Sequence, residues 1–217
     1  MKSCFIYDAF KTCLTTEYSH GENAASFSAD VRGKRLTVFF EPSNGQEDWD
    51  NNLDFATVPY LDGTRCHGGF LRVFKSALPY LEPFLADPAV EEAFIVGYSH
   101  GAALALLCHL ELCIRRPALC GNCITLAYGM PRVLAGKLSP ALAPSLTTFY
   151  RIVNEGDIVT HLPPRLFGFR HVGNRISIGK RGRYSPVDAH RPENYLSELE
   201  KCNVQLPLDA TNTHFKF

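Results

Sequence analysis

Residues 90 to 110, VEEAFIVGYSHGAALALLCHL, restrict the chain to one kind of local architecture. Ala93-Phe94-Ile95-Val96 is a short apolar run suited to a buried strand. From His100 to Arg116 the apolar residues Ala102, Leu104, Leu106, Leu107, Leu110, Leu112 and Ile114 cover nearly every face of a helix, so that helix belongs in the interior. Between the two lies Gly97-Tyr98-Ser99-His100-Gly101. A turn this sharp needs backbone to approach backbone more closely than a Cβ allows, which accounts for the glycines. It does not account for the serine.

The rest of the chain alternates in the same manner. Ser26 to Phe40 reads as a hairpin around Arg32-Gly33-Lys34. Gly69 to Leu85 has helical apolar spacing, with a break expected near Pro79 and Pro83. Ile124 to Ala127 and Thr148 to Val153 read as strands, Phe169 to Ile178 as a hairpin, and His190 to Cys202 as a closing helix. Strands alternating with helices predict an α/β fold with a mostly parallel central sheet covered on both faces. No linker divides the chain, so residues 1–217 are expected to form one domain.

Composition excludes several classes of function. Formal net charge is zero and 20% of residues are charged, so no global field draws the protein to nucleic acid. No run reaches the eighteen or so apolar residues of a membrane span, which leaves at most peripheral contact with a lipid surface. Lys2 and Asp8 interrupt the start too early for a signal-peptide core, so a cytoplasmic location is expected, or a secreted one if a leader has been removed. Cysteines at 4, 13, 66, 108, 113, 120, 123 and 202 sit mostly among apolar neighbours and are read as reduced, buried thiols. Cys120-Gly121-Asn122-Cys123 has the form of a redox or zinc CxxC but lacks a second CxxC or an HxxxH partner, and no metal role is expected of it.

Gly97-x-Ser99-x-Gly101 has the form of a nucleophile elbow. A strained strand-to-helix turn lifts a hydroxyl clear of a sheet and aims the next N–H groups, at a helix N-terminus, toward a developing oxyanion. A serine of ordinary pKa then needs a base, and the base an orienting carboxylate. In "FYRIVNEGDIVTHLPP" a strand ends in a polar turn that offers Asp157, with Glu155 as the alternative, at the edge where catalytic groups gather in α/β sheets. His190, in "VDAHRPENYL", lies at a loop-to-helix junction and is free to project; His100 and His109 ride on the elbow helix itself, and His161 and His171 read as structural.

With these motifs in view the chain resembles the class 3 lipases, a family of fungal triacylglycerol lipases, related bacterial and plant lipases and feruloyl esterases. The resemblance spans roughly Ser26 to Glu200. It is carried by "LTVFFEPSNGQEDWDNNLDF", "GTRCHGGFLRVF", "IVGYSHGAALA", "TLAYGMPRV", "RIVNEGDIVTHLPP" with "FGFRHVG", and "HRPENYL", six motifs in family order. It implies an α/β-hydrolase fold with a small lid-like loop, and a serine carboxylic-ester hydrolase that needs no cofactor and no metal. Ser99 is then the nucleophile, Asp157 the acid and His190 the base. The resemblance further implies an oxyanion hole formed by the backbone N–H of His100 and by Ser43.

The chain also departs from the family pattern. Glu41-Pro42-Ser43 stands where the family has an Arg-Gly-Thr/Ser loop, and His100 stands where leucine is common. The His100 side chain is expected to be a spectator facing solvent or the pocket. The lid stretch Gly45 to Leu53 has only Trp49 and Leu53 as large apolar residues and carries Glu47, Asp48 and Asp50. Charges of this kind are costly beside lipid, so soluble or dispersed esters are expected with little interfacial activation. Arg165 to Arg191 holds seven basic residues against Asp188 alone and is read as a solvated face. The rival readings are a phospholipase, thioesterase or acyltransferase on the same residues, or an inactive homologue that binds lipid or protein. Oligomeric state is left open.

Overall fold

In the computed structural model, residues 5–19, 25–42, 56–202 and 206 are described. Ser43, the lid stretch and the carboxyl-terminal tail with His214 lie outside them.

The element order is α1 (Phe5–Thr15), β1 (Phe27–Arg32), β2 (Arg35–Phe40), β3 (Thr57–Pro59), β4 (Arg65–His67), α2 (Gly68–Leu85), β5 (Glu92–Tyr98), α3 (His100–Arg115), β6 (Cys123–Tyr128), β7 (Leu134–Ala135), β8 (Phe149–Asn154), β9 (Phe169–Arg170), β10 (Asn174–Ile178) and α4 (Pro192–Glu200). The main sheet has six strands in the order β1-β2-β5-β6-β8-β10. β1 runs antiparallel to β2, and every other neighbouring pair is parallel. The expected hairpin is therefore the edge of the sheet, and the alternating pattern builds an α/β-hydrolase core.

Apolar residues of both parities along the strands follow from burial on both faces. Ala93 and Ile95 of β5 join Leu36, Val38, Phe40 and the helices α2 and α3 in one cluster. Phe94, Val96 and Tyr98 face the other way, into a cluster with Ile124, Leu126, Tyr128, α1 and α4. Residues 100–113 of α3 are all buried, as apolar cover on every face requires. No helix among the described residues is long and apolar enough to cross a membrane.

The structure corrects two expectations. α2 continues unbroken through Pro79 and Pro83. Both prolines stand on its exposed side, where the carbonyls they leave unpaired reach water, while Phe70, Phe74, Ala77, Leu81 and Leu85 hold the buried stripe. Phe169 to Ile178 is not a hairpin: β9 joins β7 in a separate four-stranded sheet, and β10 lies parallel to β8. The segment between them is pinned to other partners, since the Val172 carbonyl accepts from Arg151 Nε at 2.6 Å and the His171 ring bonds the Thr160 carbonyl at 2.7 Å.

α1, which has no counterpart among the expected elements, buries Ile6, Ala9, Phe10 and Cys13 on one stripe. Its Ile6 carbonyl accepts from the Tyr128 hydroxyl at 2.6 Å, and the Phe10 ring lies 4.6 Å from that of Tyr128. Burying a side chain as large as Phe10 stabilises by about 2–3 kcal/mol, enough to hold a short helix against the sheet.

Candidate active site

The serine between glycines sits where β5 ends and α3 begins. Ser99 has φ 56° and ψ −118°, a conformation that costs a non-glycine residue about 1–3 kcal/mol. Its N–H donates to the Tyr128 carbonyl at 2.9 Å, which fastens the turn to the end of β6. The glycines are dictated by contact. A Cβ on Gly97 would lie 2.2 Å from the Gly101 carbonyl oxygen, and one on Gly101 would lie 2.6 Å from the Phe40 and 2.7 Å from the Glu41 carbonyl oxygens. Turn, helix and the end of β2 touch backbone to backbone, and Ser99 is left at the surface of that junction with 8% exposure.

Asp157 and His190 meet Ser99 there, from two other loops. The Ser99 hydroxyl lies 2.8 Å from Nε2 of His190, and Nδ1 of the same ring lies 2.9 Å from Oδ2 of Asp157. A buried carboxylate accepts only, so Nδ1 carries the proton and Nε2 is left to accept from the serine.

Asp157 is fully buried just past the end of β8, in the turn Glu155-Gly156. Oδ1 accepts the Val159 N–H at 2.9 Å, and Oδ2 also accepts the Tyr195 hydroxyl at 2.6 Å. Glu155, the alternative acid, is turned outward to Arg175 at 2.7 Å. The acid loop is clamped from behind by Arg132, whose guanidinium donates to the carbonyls of His161 and Pro163.

His190 ends a short helical turn, Asp188–His190, that leads into α4. The Tyr98 ring stacks on its imidazole at 5.1 Å, and the Tyr98 hydroxyl bonds the His190 carbonyl. Asn154 Nδ2 holds the neighbouring Ala189 carbonyl at 2.9 Å. Burial and then the nearby Asp157 carboxylate hold the Tyr98 and Tyr195 hydroxyls well above the usual tyrosine range, so both remain donors. Gly129, after β6, gives the pair room: a Cβ there would lie 3.0 Å from Cε1 of His190 and 3.2 Å from Oδ2 of Asp157.

The other described histidines stand elsewhere. His109 is buried against Thr125 and Ser145, and His161 is exposed. His171 lies beside Thr160. His67 caps α2 by accepting the Phe70 N–H through Nδ1 at 3.4 Å. The His100 side chain, expected to face solvent or the pocket, is buried with its ring edge-on to Phe70 at 5.5 Å. Its backbone N–H belongs to the first turn of α3, where helix amides lack partners within the helix and the dipole is positive. Tyr195, Tyr98 and Gly129 are the site residues that sequence reasoning missed. Each stood inside a motif, Tyr195 in "HRPENYL", Tyr98 in the elbow and Gly129 in "TLAYGMPRV", but no local signal gave it a role.

A mostly parallel sheet with its serine on the turn after a central strand, and acid and base on later loops, defines an α/β-hydrolase. More narrowly, a family model described as Lipase (class 3) matches residues 37–167, and the chain belongs to that family. The Rhizomucor miehei lipase is 34% identical over 85% of this chain and 52% of its own length. A secreted mono- and diacylglycerol lipase of Malassezia globosa is 32% identical over 79% of this chain and 62% of its own. A solved structure, described as a serine protease triad forming the catalytic centre of a triacylglycerol lipase, is 31% identical, covers 76% of this chain and 66% of that one, and superposes with a TM-score of 0.61. The chain thus spans about half the length of the first of these relatives. These relatives give the cytoplasmic expectation no support, since the Malassezia globosa enzyme is described as secreted.

Proposed function

We propose that the protein is a serine carboxylic-ester hydrolase that works through an acyl-enzyme, with Ser99 as nucleophile, His190 as general base and Asp157 as orienting acid. The observation that carries this reading is the continuous hydrogen-bonded chain from Ser99 through His190 to Asp157. His190 takes the serine proton through Nε2 as Ser99 attacks the ester carbonyl. The imidazolium that forms is stabilised by Asp157 and then protonates the leaving alcohol. Water repeats the cycle and releases the acid. The backbone N–H of His100 holds the oxyanion, with Ser43 as the second donor.

Lipid esters are the substrate class that the relatives' names support. The loops that carry the acid and the base add to this. Ile158, next to Asp157, and Val187, three residues before His190, are exposed apolar side chains, and the Ile158 N–H to Pro186 carbonyl bond of 3.1 Å joins their two loops. Apolar groups in water beside a polar site suit an acyl chain. The acidic lid sequence favours dispersed over interfacial ester. Export, as in the relatives named secreted, is preferred to a cytoplasmic location.

A series of p-nitrophenyl esters from acetate to palmitate, assayed below and above the solubility limit, tests this reading. Hydrolysis is expected with a clear chain-length optimum and no jump at the solubility limit, and it should vanish in Ser99→Ala. An inert wild type across the series contradicts the reading.

A further inference from the structure

The Cys120–Cys123 pair, which lacked a partner in the sequence, finds one in the fold. His109 and Cys113 lie one turn apart on the same face of α3, Cys123 is the first residue of β6, and Cys120 lies in the short helical turn Pro117–Asn122 between them. His109, Cys113 and Cys123 are buried, and one ligand atom from each lies within 4.8 Å of the other two. Cys123 Sγ is 3.4 Å from His109 Nδ1, and Cys113 Sγ is 3.8 Å from Nε2. Nitrogen and sulfur on a tetrahedral zinc ion, at about 2.0 and 2.3 Å from the metal, stand about 3.5 Å apart, which the Nδ1–Cys123 separation matches, while Cys113 lies nearer the other ring nitrogen.

The imidazole is already oriented for such a role. Nε2 lies 2.7 Å from the Ser145 carbonyl, which can only accept, so Nε2 carries the proton and Nδ1 offers its lone pair, now taken by the Thr125 hydroxyl at 2.9 Å. A ligating histidine that donates its other N–H to a backbone carbonyl is the usual arrangement around protein-bound metals. Cys120 lies in the turn that joins Cys113 to Cys123, and its partial exposure leaves an entry path. Burial pushes the Cys120 thiol up to about 12.

We propose that His109, Cys113 and Cys123, with Cys120 as fourth ligand, form a structural site for a thiophilic divalent ion, zinc in the first place. The spacing H-x3-C-x6-C-x2-C supplies one nitrogen and three sulfurs, the donor set of closed structural zinc sites. Binding converts three thiols to thiolates and releases three protons per ion, with no change of oxidation state. The site ties the far half of α3 to the entry of β6. His109 lies ten residues along the helix from Ser99, roughly 15 Å at the helical rise, so the ion takes no part in ester chemistry.

The test is cobalt(II) titration of the whole protein, reduced and stripped of metal, followed by zinc competition. One equivalent should bind, with the near-ultraviolet thiolate-to-cobalt charge-transfer band and the strong visible bands of a tetrahedral site. Zinc should bleach both bands and raise the melting temperature. Cys123→Ser should abolish the signal. Cys120→Ser, at a partly exposed position where folding is retained, should weaken binding tenfold or more. A reduced wild type that shows no charge-transfer band overturns the proposal, as does a band that both variants keep unchanged.

Discussion

The Tyr195 hydroxyl lies 2.6 Å from Oδ2 of Asp157, the same carboxylate oxygen that faces His190 Nδ1 at 2.9 Å. It also accepts the Asn154 N–H at 3.1 Å, so one phenol joins the end of β8 to the acid. Two donors on one oxygen fix the carboxylate's rotation and, through it, the imidazole plane. Tyr195→Phe keeps the ring beside Phe10 and Tyr98 but frees the carboxylate to turn. Ester kinetics should show kcat reduced about three- to tenfold with KM little changed, and thermal denaturation a loss of about 1 kcal/mol. An unchanged kcat removes Tyr195 from the account.

The glycines around the site should respond in a graded way. At Gly97 a new methyl meets the Gly101 backbone at 2.2 Å, which no side-chain motion relieves, so Gly97→Ala should give little folded protein. At Gly129 the neighbours are the movable His190 ring at 3.0 Å and the Asp157 carboxylate at 3.2 Å, though φ is +56°. Gly129→Ala should therefore fold, with some loss of stability, and lose at least tenfold in kcat. Yield, circular dichroism and ester turnover on the two variants separate these outcomes.

Acid should weaken the fold partly through His171. Burial first, then Arg151, lowers this imidazole from 6.5 to about 3, while Nε2 donates to the Thr160 carbonyl. The folded state thus refuses a proton that the unfolded chain accepts. The stabilisation is fully present above pH 6.5 and is lost progressively as pH falls toward about 3. Melting temperatures across this window should fall more steeply for the wild type than for His171→Gln. Parallel curves would remove His171 as a source of acid sensitivity.

Legibility in the sequence followed burial. β5, the elbow and α3 were readable because a strand covered on both faces and a helix covered all round leave unmistakable apolar runs. The second sheet was not, since β7 and β9 are two residues long and carry no period. α1 had its stripe of Ile6, Phe10 and Cys13, yet its worth depends on a sheet face assembled from much later residues. The same division holds at the site. Ser99, Asp157 and His190 each carry a local signature, a turn or a strand end. Tyr195 acts only because α4 folds back over β8, and Gly129 matters only once two distant loops converge on it.

The central claim is that Ser99 is an activated nucleophile, and fluorophosphonate labelling followed by peptide mapping tests it most directly. The account predicts rapid stoichiometric modification of Ser99, none in Ser99→Ala, and slowing by orders of magnitude in His190→Ala. A folded wild type that resists the probe, or one labelled as fast without His190, would contradict it.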